Sequence, residues 1–391
     1  MRIYTLLSIF IALLTVAQSP TKTSAQTSPP PLMFTGMDGI HLLDDGMELP
    51  IWGYGLSAEG YITLPGPLLE YEVGDEVNLA FVNNSSESHT IHLHGLDVNQ
   101  ANDGVPSTSF IVVQDGTGAY SFTSSEAGTF LYHCHVTTTL HLTMGMYGMI
   151  LVRHPDGILF EGGPTYFTDA PLLFSDLEIA TNLAPVQSYP FHDIRPDYFM
   201  VNGLSGSQLE TNEILSAPVG ESIALRLGSM AYTRTRLIFP AELGATCWMS
   251  DGRAVEPSFA VDTLDIYPGE RFTVLISPEE NFDGVIEVQS WDMVDRVLAN
   301  SNYVRVRDSA LALPEIENNR LEMNIFPNPA TDFIEVSMDL KNWKILNSAG
   351  STLLKGNNGR RIDVSTLQSG TYWLHDENHR RATKFIVVKS L

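Results

Sequence analysis

The sequence predicts an all-β protein built from two tandem β-sandwich domains. Short alternating segments separated by Gly, Asn, Asp and Pro run from about residue 32 to 155, and the same style returns from about 165 to 307. Neither region contains a convincing helix of core length. The strands expected in the first region lie at 72–82, 91–94, 119–122 and 128–136. We therefore expect two Greek-key sandwiches.

The start of the chain predicts an exported protein. Arg2 precedes an apolar run over residues 4–16, and the small residues 23–25 offer a cleavage site, so residues 1–25 are predicted to be a signal peptide. This run is too short to span a bilayer, and no later run reaches the roughly 18 apolar residues that a span needs. We expect a protein that is secreted or attached to the cell surface, with no transmembrane span.

The charge of the chain excludes several classes of partner. The formal net charge is −24, from 22 Lys and Arg against 46 Asp and Glu. A nucleic-acid partner or an anionic membrane would require a basic face, so neither is expected. The acidic surface is most simply a solubility feature, and it weakly favours cations or neutral molecules over anions as substrates.

Histidines are concentrated in one part of the first region. Six of the 11 histidines lie between residues 89 and 141, in the clusters 88–95 and 132–135 with a following loop. Because side chains alternate between the two faces of a strand, His92 and His94 share one face and His89 points to the other. By the same rule, His133 and His135 share a face, and Cys134 points away from them.

This alternation predicts two metal sites on opposite sides of one strand pair. The first site contains His89 and Cys134, completed from the following loop by His141 and Met146. Two imidazoles, one thiolate and a weak thioether are the ligands of a blue electron-transfer copper site. The second site contains four imidazoles and no thiolate, a set that suits copper, iron or zinc; its members are His92, His94, His133 and His135.

Simpler interpretations of these residues stay open at this point. Met144, Met146 and Met149 are also explained by core packing, and either Met144 or Met146 could be the axial ligand. Cys134 could be a buried thiol or one half of a disulfide with Cys247. We favour a thiolate ligand for Cys134, because a disulfide would leave the other residues of its site without a metal. Zinc is the chief rival metal, but zinc sites seldom include a thioether.

Residues 32–307 resemble the multicopper oxidases and their cupredoxin relatives, which include the copper nitrite reductases. The resemblance is carried by four motifs, at His92–Leu96, Asp103–Pro106, Gly128–His135 and Gly145–Gly148. It implies that His89, Cys134, His141 and Met146 bind type 1 copper. It further implies half of a trinuclear copper cluster, formed by His92, His94, His133 and His135, and a role in proton delivery for Asp103.

The second region departs from this family. Segments 198–203 and 266–271 resemble family scaffold motifs, yet 233–236 and 288–291 contain no histidine where paired histidines are expected. We therefore predict a second cupredoxin-like domain over 165–307 that lacks metal ligands. Since the family's cluster uses eight histidines and this chain supplies four, a second copy related by a twofold axis would complete it. A homo-oligomer is the expected state, although a different chain could also supply the missing half.

The last part of the chain is predicted to be a separate module. Residues 308–322 are expected to form a linker, and 323–391 carry 9 basic and 6 acidic residues, in contrast with the acidic body. The order of Pro327–Ala330, Leu367–Tyr372 and a basic close resembles the C-terminal sorting domain of type IX secretion. A third β domain with its own function is the alternative.

Three functions are compatible with the sequence. The first is a secreted copper oxidase that takes electrons from phenols or metal ions at a type 1 copper and passes them to dioxygen. The second is a non-enzymatic blue copper protein that carries electrons or binds copper. The third is a structural sandwich with a vestigial site. No segment of the sequence identifies the electron donor.

Overall fold

The computed structural model of the chain describes residues 32–57, 59–188, 193–311, 325–328, 330–346, 352–376 and 381–389. The predicted signal peptide and residues 312–322 of the predicted linker lie outside these ranges. The chain divides into two compact units, residues 1–309 and 310–391. A strand continues to Asp308, and a 3-10 helix follows over Ser309–Leu311, so the predicted linker begins with regular structure.

The first sandwich consists of two four-stranded sheets with the strand orders β2-β1-β4-β6 and β3-β8-β7-β5. β1 pairs antiparallel with β2 but parallel with β4, so the sheet is not a simple meander. The elements of the first sandwich are β1 (Met33–Leu42), β2 (Glu48–Leu56), β3 (Leu69–Glu72), β4 (Glu76–Asn83), β5 (His92–His94), β6 (Thr117–Thr123), β7 (Gly128–His133), α1 (Thr138–Thr143) and β8 (Tyr147–Arg153).

Alternating burial explains why these segments form strands. In β4, the side chains of Val77, Leu79 and Phe81 are buried, while the intervening Glu76 and Asn78 are exposed. This is the period-2 pattern of a sheet with one wet face. β7 and β8 differ because they carry buried residues on both faces, one toward their own core and one toward the second sandwich.

The second sandwich has a six-stranded sheet, β10-β9-β12-β17-β14-β15, and a five-stranded sheet, β11-β19-β18-β13-β16. The bounds are β9 (Thr168–Leu177), α2 (Ile179–Leu183), α3 (Pro185–Ser188), β10 (Tyr198–Val201), α4 (Gly206–Asn212), β11 (Ile214–Ala217), β12 (Ile223–Ser229), β13 (Arg234–Ile238), β14 (Thr246–Ser250), β15 (Arg253–Ala260), β16 (Thr263–Ile266), β17 (Arg271–Ile276), β18 (Asp283–Trp291) and β19 (Leu298–Asp308).

An apolar cluster joins the two sandwiches. Leu131 and Met149 of the first sandwich share this cluster with Leu173 and Met200 of the second. Side chains from β7 also approach β12 and β17; Thr129 Oγ1 lies 3.4 Å from Thr273 Oγ1. The strand that leads to the predicted metal ligands is therefore packed directly against the second sandwich.

The second unit is a small β-sandwich of a three-stranded sheet, β20-β21-β24, and a four-stranded sheet, β23-β22-β25-β26. Its core is formed by one apolar cluster that includes Ile334, Ile345, Leu374 and Phe385. The strands are β20 (Ile325–Phe326), β21 (Phe333–Leu340), β22 (Trp343–Leu346), β23 (Thr352–Gly356), β24 (Gly359–Asp363), β25 (Gly370–Asp376) and β26 (Arg381–Val387).

The all-β prediction is confirmed, with two local corrections. The single strand expected over 72–82 is two strands, because the chain turns at Gly74, whose φ of 96° favours glycine. The strand expected over 128–136 ends at His133, so Cys134 and His135 lie just beyond it. The helices in the described ranges are short, and none of them is long and apolar enough to cross a membrane.

Candidate metal centres

The first cluster of candidate ligands is formed by His89, Cys134 and His141, all fully buried. Cys134 Sγ lies 3.1 Å from Nδ1 of His141 and 3.6 Å from Nδ1 of His89. His89 is held by a two-way backbone bridge to Val112, and His141 lies on α1. Two imidazole nitrogens therefore converge on one sulfur, as the sequence predicted for the thiolate site.

The environment favours the ligand form of both imidazoles. Burial lowers the pKa of His89 to about 3, and the nearby His141 adds to this shift. Burial also lowers the pKa of His141, although Glu87 opposes it. Both rings are therefore neutral at pH 7. Burial raises the pKa of the Cys134 thiol, so its proton must leave when a metal binds.

Glu87 determines which nitrogen of His141 can bind a metal. Its carboxylate lies 3.1 Å from His141 Nε2, so Nε2 carries the hydrogen and Nδ1 keeps its lone pair toward Cys134. The Glu87 side chain is 38% exposed, whereas that of His141 is fully buried. This arrangement fits a metal bound at Nδ1 and connects the buried ring to the surface.

Met146 is placed between two of these residues by its backbone. Its carbonyl accepts a hydrogen bond of 3.1 Å from the Cys134 N–H, and its own N–H donates to the His141 carbonyl at 2.9 Å. Met144 instead accepts from the Trp52 N–H. Both methionines are fully buried. This backbone placement favours Met146 over Met144 as the axial ligand, which stays a prediction.

The second cluster brings together three of the four predicted histidines. Candidate ligand atoms of His92, His94 and His133 all lie within 4.8 Å of one another. Nδ1 of His94 lies 3.3 Å from Nε2 of His133. His135 lies beside this set, with its ring centroid 5.3 Å from that of His92 and its ring stacked on that of His133 at 5.9 Å.

Backbone and carboxylate oxygens orient two of these rings. His92 Nδ1 lies 2.7 Å from the Asp103 carbonyl and 3.3 Å from its carboxylate, and His133 Nδ1 lies 3.0 Å from the Cys134 carbonyl. Nε2 is therefore the nitrogen that each ring would offer to a metal. Burial lowers the pKa of His133 to about 3 and that of His94 to about 4. Asp103 touches the cluster as predicted, and its role in proton delivery stays a proposal.

The second sandwich closes one side of this histidine cluster. A Cβ at Gly269 would lie 3.2 Å from His94 Cε1, and a side chain at Gly95 would collide with the Arg271 guanidinium. Arg271 is held by the Gly269 carbonyl at 2.7 Å and by the Asp251 carboxylate at 2.9 Å. Its positive charge contributes, after burial, to the lowered pKa of His94.

The two cysteines lie in different apolar cores. Cys134 belongs to the core of the first sandwich and Cys247 to that of the second, and both thiols are free. A disulfide between them is therefore not formed. Sequence reasoning missed Glu87 and Arg271 as neighbours of the two clusters. The only signal for Glu87 was an acidic residue two positions before His89, and Arg271 was noted only as part of a scaffold motif.

Comparison with known proteins identifies two parts of the chain. Residues 61–157 match the family model of multicopper oxidases. The chain carries a multicopper oxidase domain. Residues 324–389 match the model of a secretion system C-terminal sorting domain. Both resemblances predicted from the sequence are confirmed.

Individual relatives agree with this assignment. Copper-containing nitrite reductase of Neisseria gonorrhoeae is 26% identical over 190 residues, which are 48% of this chain and 46% of the relative. Copper resistance protein A of Escherichia coli is 36% identical over 101 residues, covering 25% of this chain and 16% of the relative. The chain thus spans less than half the length of these curated relatives.

The fold is also found among solved structures. A blue copper oxidase from Nitrosomonas europaea superposes with a TM-score of 0.61 at 23% sequence identity. The superposition covers 75% of this chain and 89% of that protein. At this level of identity the likeness establishes the cupredoxin-type fold alone.

Proposed function

We propose that this chain is a secreted copper oxidase, which takes electrons from phenols or metal ions at the thiolate site and passes them to dioxygen at the histidine cluster. The observation that carries the proposal is the tripeptide His133-Cys134-His135. Cys134 belongs to the first cluster of ligands and His133 to the second. Two redox sites are thereby linked by a few covalent bonds, as a protein that relays electrons requires.

The donor atoms present in both clusters fit copper. The thiolate site offers two Nδ1 atoms and one thiolate, with Met146 as the proposed fourth ligand, and the histidine cluster offers imidazoles alone. Copper held there would supply one-electron redox chemistry. Glu87 holds the His141 ring in its ligand tautomer and gives it a hydrogen-bonded link to solvent. The Asp103 carboxylate, 29% exposed, is placed to hand protons from solvent toward the cluster.

Copper analysis combined with an oxygen electrode tests the proposal. The purified, copper-loaded chain should be intensely blue and should consume dioxygen when a phenol or Fe²⁺ is added. Copper should exceed one atom per chain, since the histidine cluster is occupied as well as the thiolate site. A blue protein with one copper per chain and no dioxygen consumption with any donor would contradict oxidase activity.

A non-enzymatic blue copper protein is the second candidate. It is favoured by the small size of the histidine cluster. Among the described residues, only three histidines share a 4.8 Å set, and those that the second sandwich places beside it include Gly269 and Arg271. In that case the chain would carry electrons or bind copper without reducing dioxygen. Retention of the blue colour without turnover is its signature.

A homo-oligomer would reconcile the small cluster with oxidase activity. Eight imidazoles result if His92, His94, His133 and His135 of a second copy face those of the first across a twofold axis, the commonest symmetry of soluble oligomers. The His92 side chain is 18% exposed, so this face is partly open. One thiolate-site copper per chain and three shared coppers give roughly 2.5 per chain in such a pair. Light-scattering mass beside copper content distinguishes this from a monomer.

The match to a sorting domain supports a proposal about export. We propose that it is secreted or attached to the cell surface and that the tail from about residue 323 is removed on the way. Intact-mass measurement on protein secreted by the native host tests this, and a mature C-terminus at Leu391 would contradict removal.

A further inference from the structure

A cavity of about 450 Å³ opens on the second sandwich, between the start of β13, the segment after β16 and the loop that joins β18 to β19. Its lining residues are Arg234, Tyr267, Asp292, Met293 and Arg296. None of the five belongs to either cluster of candidate ligands or lies on α1. The cavity includes the segment 233–236, where the sequence lacks the paired histidines of the family and places guanidinium groups instead.

The loop that carries three of the lining residues is held in one shape by Asp292. Its carboxylate accepts hydrogen bonds of 2.7 Å from two backbone N–H groups of the loop and one of 2.9 Å from Arg195. Its own N–H donates to the Val297 carbonyl at 2.9 Å and closes the loop. The Asp292 carboxylate is therefore already engaged, although it lines the cavity. Met293 and Arg296 are presented at the rim by an ordered backbone.

The neighbouring carboxylate of Asp265 is engaged as well. Arg236 binds it with two hydrogen bonds of 2.7 Å and 2.9 Å, whereas Arg234 approaches one of its oxygens only at 3.5 Å. The Arg234 guanidinium lies over the Trp291 ring at 5.1 Å, and its Nε is buried without a hydrogen-bond partner in the described part of the chain. Stacking on an aromatic face positions a guanidinium and leaves its in-plane N–H donors available for an anion.

Arg296 is the second cation that lines the cavity. It forms no ion pair with any residue in the described ranges. The other carboxylates nearby, those of Asp193 and Asp295, pair with Arg195 and do not line the cavity. Two guanidinium groups therefore line one cavity without a closely bound carboxylate, in a protein whose formal net charge is −24. An anionic ligand would supply the missing partner.

Tyr267 and Met293 add features that a simple ion does not need. Tyr267 is 45% exposed and Met293 is 44% exposed, so both present apolar surface to a ligand. A phenolic hydroxyl can donate a hydrogen bond to an anion, and guanidinium groups bind planar carboxylates through parallel N–H bonds. Pockets of about 300–1,000 Å³ are the usual sites for small organic molecules. The lining thus suits a carboxylate attached to an apolar body.

We propose that this cavity binds an organic monocarboxylate with an apolar body of one or two rings. The carboxylate lies between Arg234 and Arg296, and the body lies against Met293 and Tyr267. No covalent or redox step takes place in the site, and binding requires no copper. The proposal is therefore independent of the oxidase activity.

The first test varies the charge of the ligand. The probes are 2-naphthoate, 2-naphthylmethanol and 2-naphthylmethylamine, which share a ring system and differ in charge, and their binding to the full chain is measured by titration calorimetry. We expect 2-naphthoate to bind and the other two to bind at least about tenfold more weakly, since they cannot accept charge-assisted hydrogen bonds from two guanidinium groups. No binding of 2-naphthoate, or equal binding of the alcohol, would overturn the proposal.

The second test varies the protein. Arg296→Gln should weaken 2-naphthoate binding at least about tenfold, the change expected when one charge-assisted hydrogen bond is lost, and Arg296→Glu should weaken it further. The control is Arg305→Gln, because Arg305 is an exposed arginine of the same sandwich that pairs with Asp283 and does not line the cavity. Since Arg296 is exposed, its variants should remain folded, which circular dichroism checks. Unchanged affinity in Arg296→Gln would overturn the proposal.

Two further measurements distinguish this site from other anion sites. Inorganic phosphate should compete with 2-naphthoate only weakly, because it makes no use of the apolar wall, and equal competition would reduce the cavity to a site for simple ions and overturn the assignment. The affinity for 2-naphthoate should be the same in the copper-loaded and the metal-free full chain. A requirement for copper would place the carboxylate at a metal centre and would also overturn it.

Discussion

The two sandwiches of this chain share an architecture and differ in what one strand pair of each carries. In the first sandwich, His92 on β5 lies opposite His133 on β7. In the second, Arg236 on β13 lies opposite Gln289 on β18, and Arg234 lies opposite Trp291. His92 and His94 share one face of β5, and Arg234 and Arg236 share one face of β13. Only the first of these two pairs consists of imidazoles.

The second sandwich uses these positions for a different set of contacts. The guanidinium groups of Arg234 and Arg236 lie over the Trp291 ring at 5.1 Å and 5.6 Å, and both pair with Asp265. These cation–π contacts and ion pairs stabilise the sheet face without a metal. The sandwich fold therefore does not require metal-binding side chains, and the chemistry of each sandwich depends on the side chains that the fold presents.

Removal of the thiolate is expected to have the largest effect on the first sandwich. In the copper-loaded chain, Cys134→Ser should abolish the blue colour, since the intense absorption requires the cysteine sulfur as a ligand. Cys247→Ser is the matched control, because that thiol is equally buried but lies in the core of the second sandwich. Visible absorption at equal copper loading is the measurement. A blue Cys134→Ser protein would contradict the assignment.

A second prediction separates the two clusters of the first sandwich. His133→Gln should lower the rate of dioxygen consumption by at least about a hundredfold, while the blue colour persists. Loss of a residue that only orients a ligand typically lowers activity by about 10–100-fold, and loss of a ligand should cost more. The control is His154→Gln, whose ring pairs with Glu161 on the surface side of the domain. If His133→Gln lost the blue colour together with the activity, the two clusters would not be separable.

The sequence predicted which candidate ligands lie together, but it did not predict the residues that orient them. Alternation along a strand placed His89 and Cys134 on one side and His92, His94 and His133 on the other, although the strands themselves end before Cys134 and begin after His89. The residues that orient these ligands come from distant segments. Glu87 reaches His141 across 54 positions, and Arg271 approaches Gly95 from another domain. Such pairs follow from packing between sheets, which the local pattern does not specify.

The third prediction concerns Asp176, a buried carboxylate in the second sandwich. It accepts hydrogen bonds from the backbone of Tyr232 and Thr233, and the Tyr232 hydroxyl in turn contacts α1. Burial raises the pKa of Asp176 to about 6 from 3.8, despite hydrogen bonds from Tyr232 and Thr233. Because the folded chain holds this proton more tightly than the unfolded chain, stability falls as the pH rises from about 4 to 6. The loss over that window is about 3 kcal/mol by linkage.

Asp176→Asn removes the titration and tests this prediction. Urea unfolding between pH 4 and 7 should show that the difference in stability between the two proteins changes by about 3 kcal/mol across the window. The amide also changes the hydrogen bonds, but that effect is the same at every pH. Parallel stability curves for the two proteins would contradict the prediction.

The smallest effect is expected for Gly95→Ala, which tests how closely the second sandwich covers the histidine cluster. Gly95 has φ of 91°, and a Cβ there would meet the Arg271 guanidinium, whereas Gly46 has φ of 86° and open space around it. Alanine at either position strains the backbone by about 1–3 kcal/mol. Gly95→Ala should cost a further 1 kcal/mol or so, because the buried Arg271 cannot move without leaving Asp251 and the Gly269 carbonyl. Thermal unfolding of the two variants measures the difference. Equal melting temperatures would mean that Arg271 yields readily and that the second sandwich does not hold the wall beside His94 in place.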